Sequence, residues 1–396
     1  MTGDFTGKME LGGCELAKVG DPGLFVAKLN PSGACLWAKS AGDAGSQYGL
    51  AVAIDVDGNI LVSGDFTDAM GLVGCPLTNV GSSGLFVAKL DPSSGACLWS
   101  KTAGNAHGSS VAVDGTSNVV LTGSFYGDMA LDGCPTLSTA GVLDFFVAKL
   151  DPSGVCLWSK GAGDAMIQSG EGVAIDSEEN IVVTGNFNGA MDLGGCKLLN
   201  TGTTEMFVAK LNASGTCLWS EAGLDASGSI GRGVAIDGAR NVLLTGDFIE
   251  TMNVGKCTLA RSGSAGFFVT KLDPSGGCLW SKSTLDAGAQ SSKGVAVDAF
   301  NNVLVTGNFL DSLNLGGGSM VSAGDQDVFW VKLDAEGSYL WGQRGGGAFS
   351  DSGKGVAADS TGNVVLTGNF HGTVDFGTGP LVSAGGADIF VAKFGP

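Results

Sequence analysis

The chain has 396 residues, with 21 basic against 39 acidic side chains, a formal net charge of -18, and only 15% charged beside 44% hydrophobic residues. So acidic a surface repels phosphate backbones, which argues against nucleic acid as a partner and leaves cations and basic partners open. No apolar run reaches the roughly 18 residues of a membrane-spanning helix, and no charged-then-apolar leader opens the chain.

Met1-Thr2-Gly3-Asp4-Phe5 matches Leu244-Thr245-Gly246-Asp247-Phe248, so the sequence is expected to start inside a repeat, with any export signal upstream or removed. The 68 glycines are spread evenly and mark turns, with neither a collagen period nor a disordered tract.

Residues 172–221 show one unit in full. Gly172-Val173-Ala174-Ile175-Asp176 is a short strand of small apolar residues, turned around by Ser177-Glu178-Glu179-Asn180. Ile181 to Phe187 is β-branched and apolar and reads as a second strand. A loop of about twenty residues follows, carrying Met191-Asp192-Leu193-Gly194-Gly195-Cys196. The hairpin from Phe207 to Glu221 closes the unit, its strands joined by a turn of the Asp-Pro-Ser-Gly type.

That hairpin recurs from Phe25, Phe86, Phe146, Phe207, Phe268, Phe329 and Phe390, at steps of 61, 60, 61, 61, 61 and 61 residues. Four antiparallel strands per unit with no helical period describe a propeller blade. The expected fold is therefore all-β, a β-propeller of four-stranded antiparallel blades in one domain over 1–396. The repeat units run about 1–48, 49–109, 110–171, 172–232, 233–293, 294–354 and 355–396.

The Val-Ala-x-Asp strand suits the crowded innermost position. It and the Leu-Trp strand occur six times and the other two strands seven times, so seven blades are expected, with six as the alternative.

The pattern Gly355-Val356-Ala357-Ala358-Asp359-Ser360-Thr361-Gly362-Asn363-Val364-Val365-Leu366-Thr367-Gly368, followed by Asp388-Ile389-Phe390-Val391-Ala392-Lys393, resembles the bacterial seven-bladed propeller repeats known as SBBP repeats. It is more distantly similar to NHL-type propeller repeats. The resemblance covers the whole chain and implies architecture and a surface or secreted bacterial setting, with no common enzymatic activity. The chain departs from that family's repeat in its cysteines.

All ten cysteines fall at two repeat positions, present together in five units and replaced together by Gly318 and Tyr339 in the sixth. Joint retention and joint loss are what bonding produces. The expected pairs are Cys14 with Cys35, Cys75 with Cys97, Cys134 with Cys156, Cys196 with Cys217, and Cys257 with Cys278. They imply an oxidising compartment, hence a secreted or cell-surface location. Each pair requires the long loop to fold down toward the outermost strand and so shield an edge that would otherwise recruit other chains.

Other repeated positions invite functional readings that bland ones outweigh. Lys28, Lys89, Lys149, Lys210, Lys271, Lys332 and Lys393 are expected in ion pairs between blades rather than as binding cations. Trp37, Trp99, Trp158, Trp219, Trp280 and Trp341 are expected to pack between blades rather than stack on sugars.

Asp43, Asp164, Asp225 and Asp286 stand in Gly-rich loops and are the calcium candidates, but one carboxylate per loop falls short of calcium's six to eight oxygens. Each Asp-x-x-x-Asn turn, such as Asp55 to Asn59, is expected to be capped by its own carboxylate. Asn212-Ala213-Ser214 is a glycosylation-type triplet at a hairpin turn. His107 and His371 are isolated, and no catalytic triad is suggested by spacing.

The expected function is that of a non-enzymatic binding or adhesion scaffold, a monomer or part of a larger surface protein, with no cofactor assigned and a protein or glycan ligand. The alternatives are a multivalent lectin with glycan sites between blades, and a hydrolase or lyase acting at an axial channel.

Overall fold

The computed structural model describes residues 1–17, 22–42, 45–79, 81–200, 202–260, 265–284, 286, 288–377 and 379–396, with the backbone alone over 224–227. The described residues form an all-β propeller of seven blades on a four-stranded antiparallel plan, with no helix. The third blade is representative: Ala106–Val113, Val119–Phe125, Asp144–Leu150 and Cys156–Ala162 lie side by side in chain order. The first blade has three strands, Thr2–Phe5, Gly23–Leu29 and Cys35–Ala41. The seventh also has three, Ser352–Ala358, Val364–Phe370 and Asp388–Phe394.

The chain divides into two compact units, with the boundary inside the fourth blade. The first comprises Met1–Val183, Gly189–Leu199 and Lys210–Leu218; the second comprises Thr184–Asn188, Asn200–Ala209 and Trp219–Pro396. Within the first unit, Val111, Leu121, Phe146 and Leu150 of the third blade pack against Leu61, Leu85 and Val87 of the second. Within the second unit, Phe267 and Val269 of the fifth blade pack against Val305, Phe329 and Val331 of the sixth.

The two middle strands of a blade are covered on both faces, which is why they read as unbroken apolar runs rather than alternating ones. The glycine of each Thr/Ser-Gly-x-Phe strand is dictated by close approach: a Cβ on Gly123 would stand 1.9 Å from the His107 carbonyl oxygen. The following phenylalanine meets the third-strand phenylalanine edge to face, as Phe125 meets Phe146 at 6.5 Å between centroids.

The segment read from sequence simply as a loop of about twenty residues contains a hairpin of its own. In the fourth blade Ala190–Asp192 pairs with Lys197–Leu199, burying Met191 and Leu198. Its Met-x-Leu and Cys-x-Leu segments alternate with period two, the signal of a half-buried hairpin.

All five expected disulfides are present, with Cα–Cα distances of 5.8, 5.9, 5.2, 5.9 and 5.3 Å in chain order. Beside three of them the cysteine that opens the outer strand donates its amide to the loop, Cys35 to Gly12, Cys97 to Val73 and Cys278 to Gly255. In the sixth blade the Tyr339 ring fills this space, for a Cβ on Gly317 would stand 1.9 Å from it.

Candidate functional site: the blade joints and their grooves

Each inner strand ends in the aspartate of the Asp-x-x-x-Asn turn. Asp114 accepts the amides of Thr116 and Asn118 and the Asn118 side chain, the capping expected of it. Its outer oxygen also takes Lys149 Nζ at 2.8 Å, both side chains being buried. Equivalent pairs are Lys89–Asp55, Lys210–Asp176, Lys271–Asp237, Lys332–Asp298 and Lys393–Asp359, at 2.7 to 3.0 Å.

Burial opposes ionisation of Asp114, but Lys149, Asn118 and Thr116 together outweigh it and hold its pKa down at about 2. The repeated lysines therefore form ion pairs inside a blade, where pairs between blades were expected. The Asp turn lies at the same end of the sheet as the lysine, as the pairing of Val119 with Leu150 and Val113 shows. What crosses to the next blade is a hydrogen bond, from Lys89 Nζ to the Pro152 carbonyl and from Lys271 Nζ to the Ala335 carbonyl.

The tryptophans make the second joint, packing as expected against the following blade. Trp99 Nε1 donates to the Pro152 carbonyl, Trp158 to Ala213, Trp219 to Pro274 and Trp280 to Ala335. Each ring lies on the glycine of that turn; Gly95 has φ +68°, and a Cβ there would stand 2.8 Å from the Trp37 ring. Each ring is thus held by an indole hydrogen bond and by contact with the turn glycine, the packing role expected of it. The triplet Asn212-Ala213-Ser214 is this same turn, with Asn212 Oδ1 accepting from the Ser214 amide and hydroxyl and from the Thr216 amide.

A β-bulge between the third and outer strands recurs, as at Lys149/Leu150, and skips one residue of the outer strand. The skipped residue is the leucine between cysteine and tryptophan, which is thereby turned outward: Leu36, Leu98, Leu157, Leu218, Leu279 and Leu340 are all exposed.

Beyond the tryptophan the outer strand borders a groove whose far wall is the loop hairpin of the next blade. In the first unit it opens between the first and second blades as a cleft of about 620 Å³, lined by Lys39, Ser40, Gly71, Val73 and Pro76. It opens again at the equivalent place between the third and fourth blades, about 260 Å³, lined by Lys160, Gly161, Asp192 and Gly194. Between the second and third blades Asp132 bridges the two walls instead, exchanging hydrogen bonds of 3.1 Å with the Thr102 amide and carbonyl.

Of the calcium candidates, the two whose side chains are described, Asp164 and Asp286, lie in different blades and are engaged locally. Asp164 Oδ1 accepts the Met166 amide and Gln168 Nε2, and Oδ2 accepts the Ala190 amide, which holds its carboxyl below the usual range. Asp286 Oδ2 accepts the Asn314 amide. Asp43 and the Asp225 side chain lie outside the described residues. Among the described residues no three acidic, histidine or cysteine side chains gather as a metal cluster.

A polar joint on the inner side was not anticipated. Asp65, at the end of the second blade's second strand, accepts His107 Nδ1 at 3.0 Å and the Gly108 amide at 2.8 Å from the third blade. Donation to the Asp65 carboxylate raises the His107 pKa, against burial, which lowers it. Asp247 repeats the device, accepting the Ser291 hydroxyl and the Ser292 amide of the sixth blade. The signal available in sequence was the polar residue between Gly and Phe, with its partner 42 residues away.

No family model matches the chain. An uncharacterized WD repeat-containing protein of Acanthamoeba polyphaga mimivirus is 23% identical over 452 residues, covering 91% of this chain and 32% of its own length. The chain thus spans about a third of that relative, whose viral source argues against the bacterial origin implied by the sequence resemblance. Similar solved structures include a protein of unknown function from Bacteroides caccae, at TM-score 0.42 and 10% identity, covering 87% of this chain and 93% of that one. The WD40 domain of Neurospora crassa Pan2 matches at TM-score 0.41 and 10% identity, over 80% of this chain and 74% of that one. With its seven blades and a WD-repeat relative, the chain is a propeller of the kind that suggests a binding scaffold.

Proposed function

We propose that this protein is a non-enzymatic binding scaffold, secreted or displayed at a surface, whose partners dock in the outer grooves between blades. The carrying observation is the recurrence of one groove at two equivalent joints with different polar linings: Lys39 and Ser40 in one, Lys160 and Asp192 in the other. The joint hardware is repeated almost without change while the groove walls vary, the division of labour expected of a rigid frame carrying variable contacts. The same outer strands also carry the outward leucines, Leu36 and Leu157 among them, as exposed apolar side chains. Five disulfides fit an oxidising, extracellular setting, as does the likeness to SBBP-type repeats.

Gly71 allows a direct test, because a Cβ there meets nothing within 4 Å, so Gly71→Trp fills the larger groove without disturbing the core. The oxidised protein and this variant are offered the same array of extracellular proteins and glycans, with calcium and with chelator. Saturable binding that the variant loses supports the groove reading; equal binding by both refutes it. The lectin reading rests on the same recurrence and requires several glycan sites per chain.

A further inference from the structure

We propose that the open groove between the first and second blades takes an aspartate of an extended acidic peptide, held through both its backbone and its carboxylate. The inference rests on the groove reading above and names the ligand of that site. Three observations within the first unit specify it.

The first is the occupant that the chain itself supplies one joint further on. Between the second and third blades the Asp132 amide donates to the Thr102 carbonyl, and Asp132 Oδ2 accepts the Thr102 amide, both at 3.1 Å. One aspartate thereby satisfies both backbone groups of one residue on the edge of an outer strand.

The second is the same edge left bare. Ser40 and Thr102 each stand five residues after the cysteine that opens their strand, and each lies opposite the third-strand phenylalanine, Phe25 or Phe86. Antiparallel pairing alternates inward and outward backbone groups, so this shared register turns the Ser40 amide and carbonyl into the groove as it turns those of Thr102 toward Asp132. Among the described residues, none bonds to either group. The place of Asp132, two residues before the hairpin cysteine, belongs here to Val73, whose carbonyl is held by the Cys97 amide of its own blade. That bond folds the second blade's hairpin onto its own outer strand, and a cleft of about 620 Å³ remains in front of Ser40.

The third is charge. The chain carries a net charge of -18, yet among the described residues the only charged side chain lining this cleft is Lys39, which makes no ion pair there. Its counterpart Lys160 is committed, donating to the Gly215 carbonyl at 2.6 Å, and shares the smaller groove with Asp192. The larger groove therefore selects an anionic ligand and the smaller one does not. Bare amide, bare carbonyl and unpaired cation together describe an aspartate in a peptide chain.

The test uses the oxidised full chain and a fluorescent peptide with blocked ends copying residues 129–133, followed by anisotropy and by hydrogen exchange at residue resolution. The expected result is saturable binding at one site per chain, with the Ser40 amide gaining protection and the Gly161 amide gaining none. The Asp→Asn and Asp→Glu forms of the peptide should each bind about tenfold more weakly, the first for its lost charge and the second because an added methylene moves the carboxylate off the amide. Lys39→Gln should weaken the unaltered peptide by a similar factor, and Gly71→Trp should abolish its binding.

Absence of binding, equal binding of the Asp→Asn peptide, or protection gained elsewhere than at Ser40 would overturn the proposal. Its failure is separable from that of the groove reading. An array partner without a carboxylate, lost in Gly71→Trp but indifferent to Lys39→Gln, would overturn the ligand assignment alone, whereas peptide binding that survives Gly71→Trp would overturn both. The peptide variants leave the protein untouched, so the result stands even where Lys39→Gln perturbs folding.

Discussion

Replacing Lys89 by methionine separates the buried ion pair from everything else the lysine does. Methionine keeps the apolar stem in place and deletes only the ammonium that meets Asp55 at 2.7 Å and the Pro152 carbonyl at 3.2 Å. Removing one partner of a buried pair costs about 3–5 kcal/mol, because the survivor is left charged in a low-dielectric site. Asp55 keeps the amides of Asp57 and Asn59 and the Asn59 side chain, so the lower end, about 3 kcal/mol, is expected.

Lys28→Met is the internal control. It loses one hydrogen bond and no ion pair, so about 1 kcal/mol is expected. Adding Asp55→Asn to Lys89→Met should recover about 2 kcal/mol, since neither charge then remains. Repeat proteins lose blades unequally, so global melting is the wrong readout. Native-state hydrogen exchange with mass spectrometry, following the amides of 60–66 and 84–90, reports the second blade alone.

Asp55 has a folded pKa below its ordinary value: burial opposes ionisation, but Lys89 and Asn59 outweigh it. Its contribution is therefore present above the ordinary carboxylate pKa and lost as pH falls through the lowered folded value. The gap between wild type and Lys89→Met should close at strongly acidic pH. Equal protection losses in Lys28→Met and Lys89→Met, or additive behaviour of Asp55→Asn with Lys89→Met, would refute the assignment.

Three further outcomes are expected. Replacing Cys134 and Cys156 together by alanine should destabilise the third blade by about 3 kcal/mol in the chain-entropy account, and replacing Cys156 alone should cost more by leaving a thiol to mispair; equal stability on non-reducing gels and in hydrogen exchange would count against it. The His107–Asp65 joint should stabilise fully below the unfolded histidine pKa and fade as pH rises through the raised folded value, so wild type but not His107→Gln should lose second-to-third-blade protection from pH 6 to 8. Asp164→Ala, which removes three accepted hydrogen bonds, should cost about 1–2 kcal/mol, with calcium and chelator leaving both forms unmoved; a gain in hydrogen-exchange protection on adding calcium to wild type alone would restore the metal reading.

The period carried most of the architecture. Because Phe146, Lys149, Cys156 and Trp158 return at fixed offsets, strand order and cysteine partners follow from one unit, and capping by Asp114 or Asp176 is local enough to read directly; blade number was open between seven and six, since two strand types occur six times and two occur seven. Contacts between side chains far apart in sequence were less legible. Lys149 reads as a charge seeking a neighbour, but that its partner is Asp114 of the same blade depends on how the first strand folds back. The loop hairpin over 190–199 is short and interrupted by Gly194-Gly195, which masked its alternation. The grooves cannot be read from spacing at all. Whether Asp132 bridges one or Gly71 leaves it open depends on how two separate turns approach.

The sixth blade solves the loop-to-strand junction without sulfur, by seating an aromatic ring over a glycine. That gives the fold a built-in recipe for a thiol-free version of itself. Transplanting Gly317, Gly318 and Tyr339 into the five bridged repeats, which in the fifth also replaces Lys256 by glycine, would yield a form suited to production in the reducing cytosol, and one whose shape no longer answers to the redox state of its surroundings.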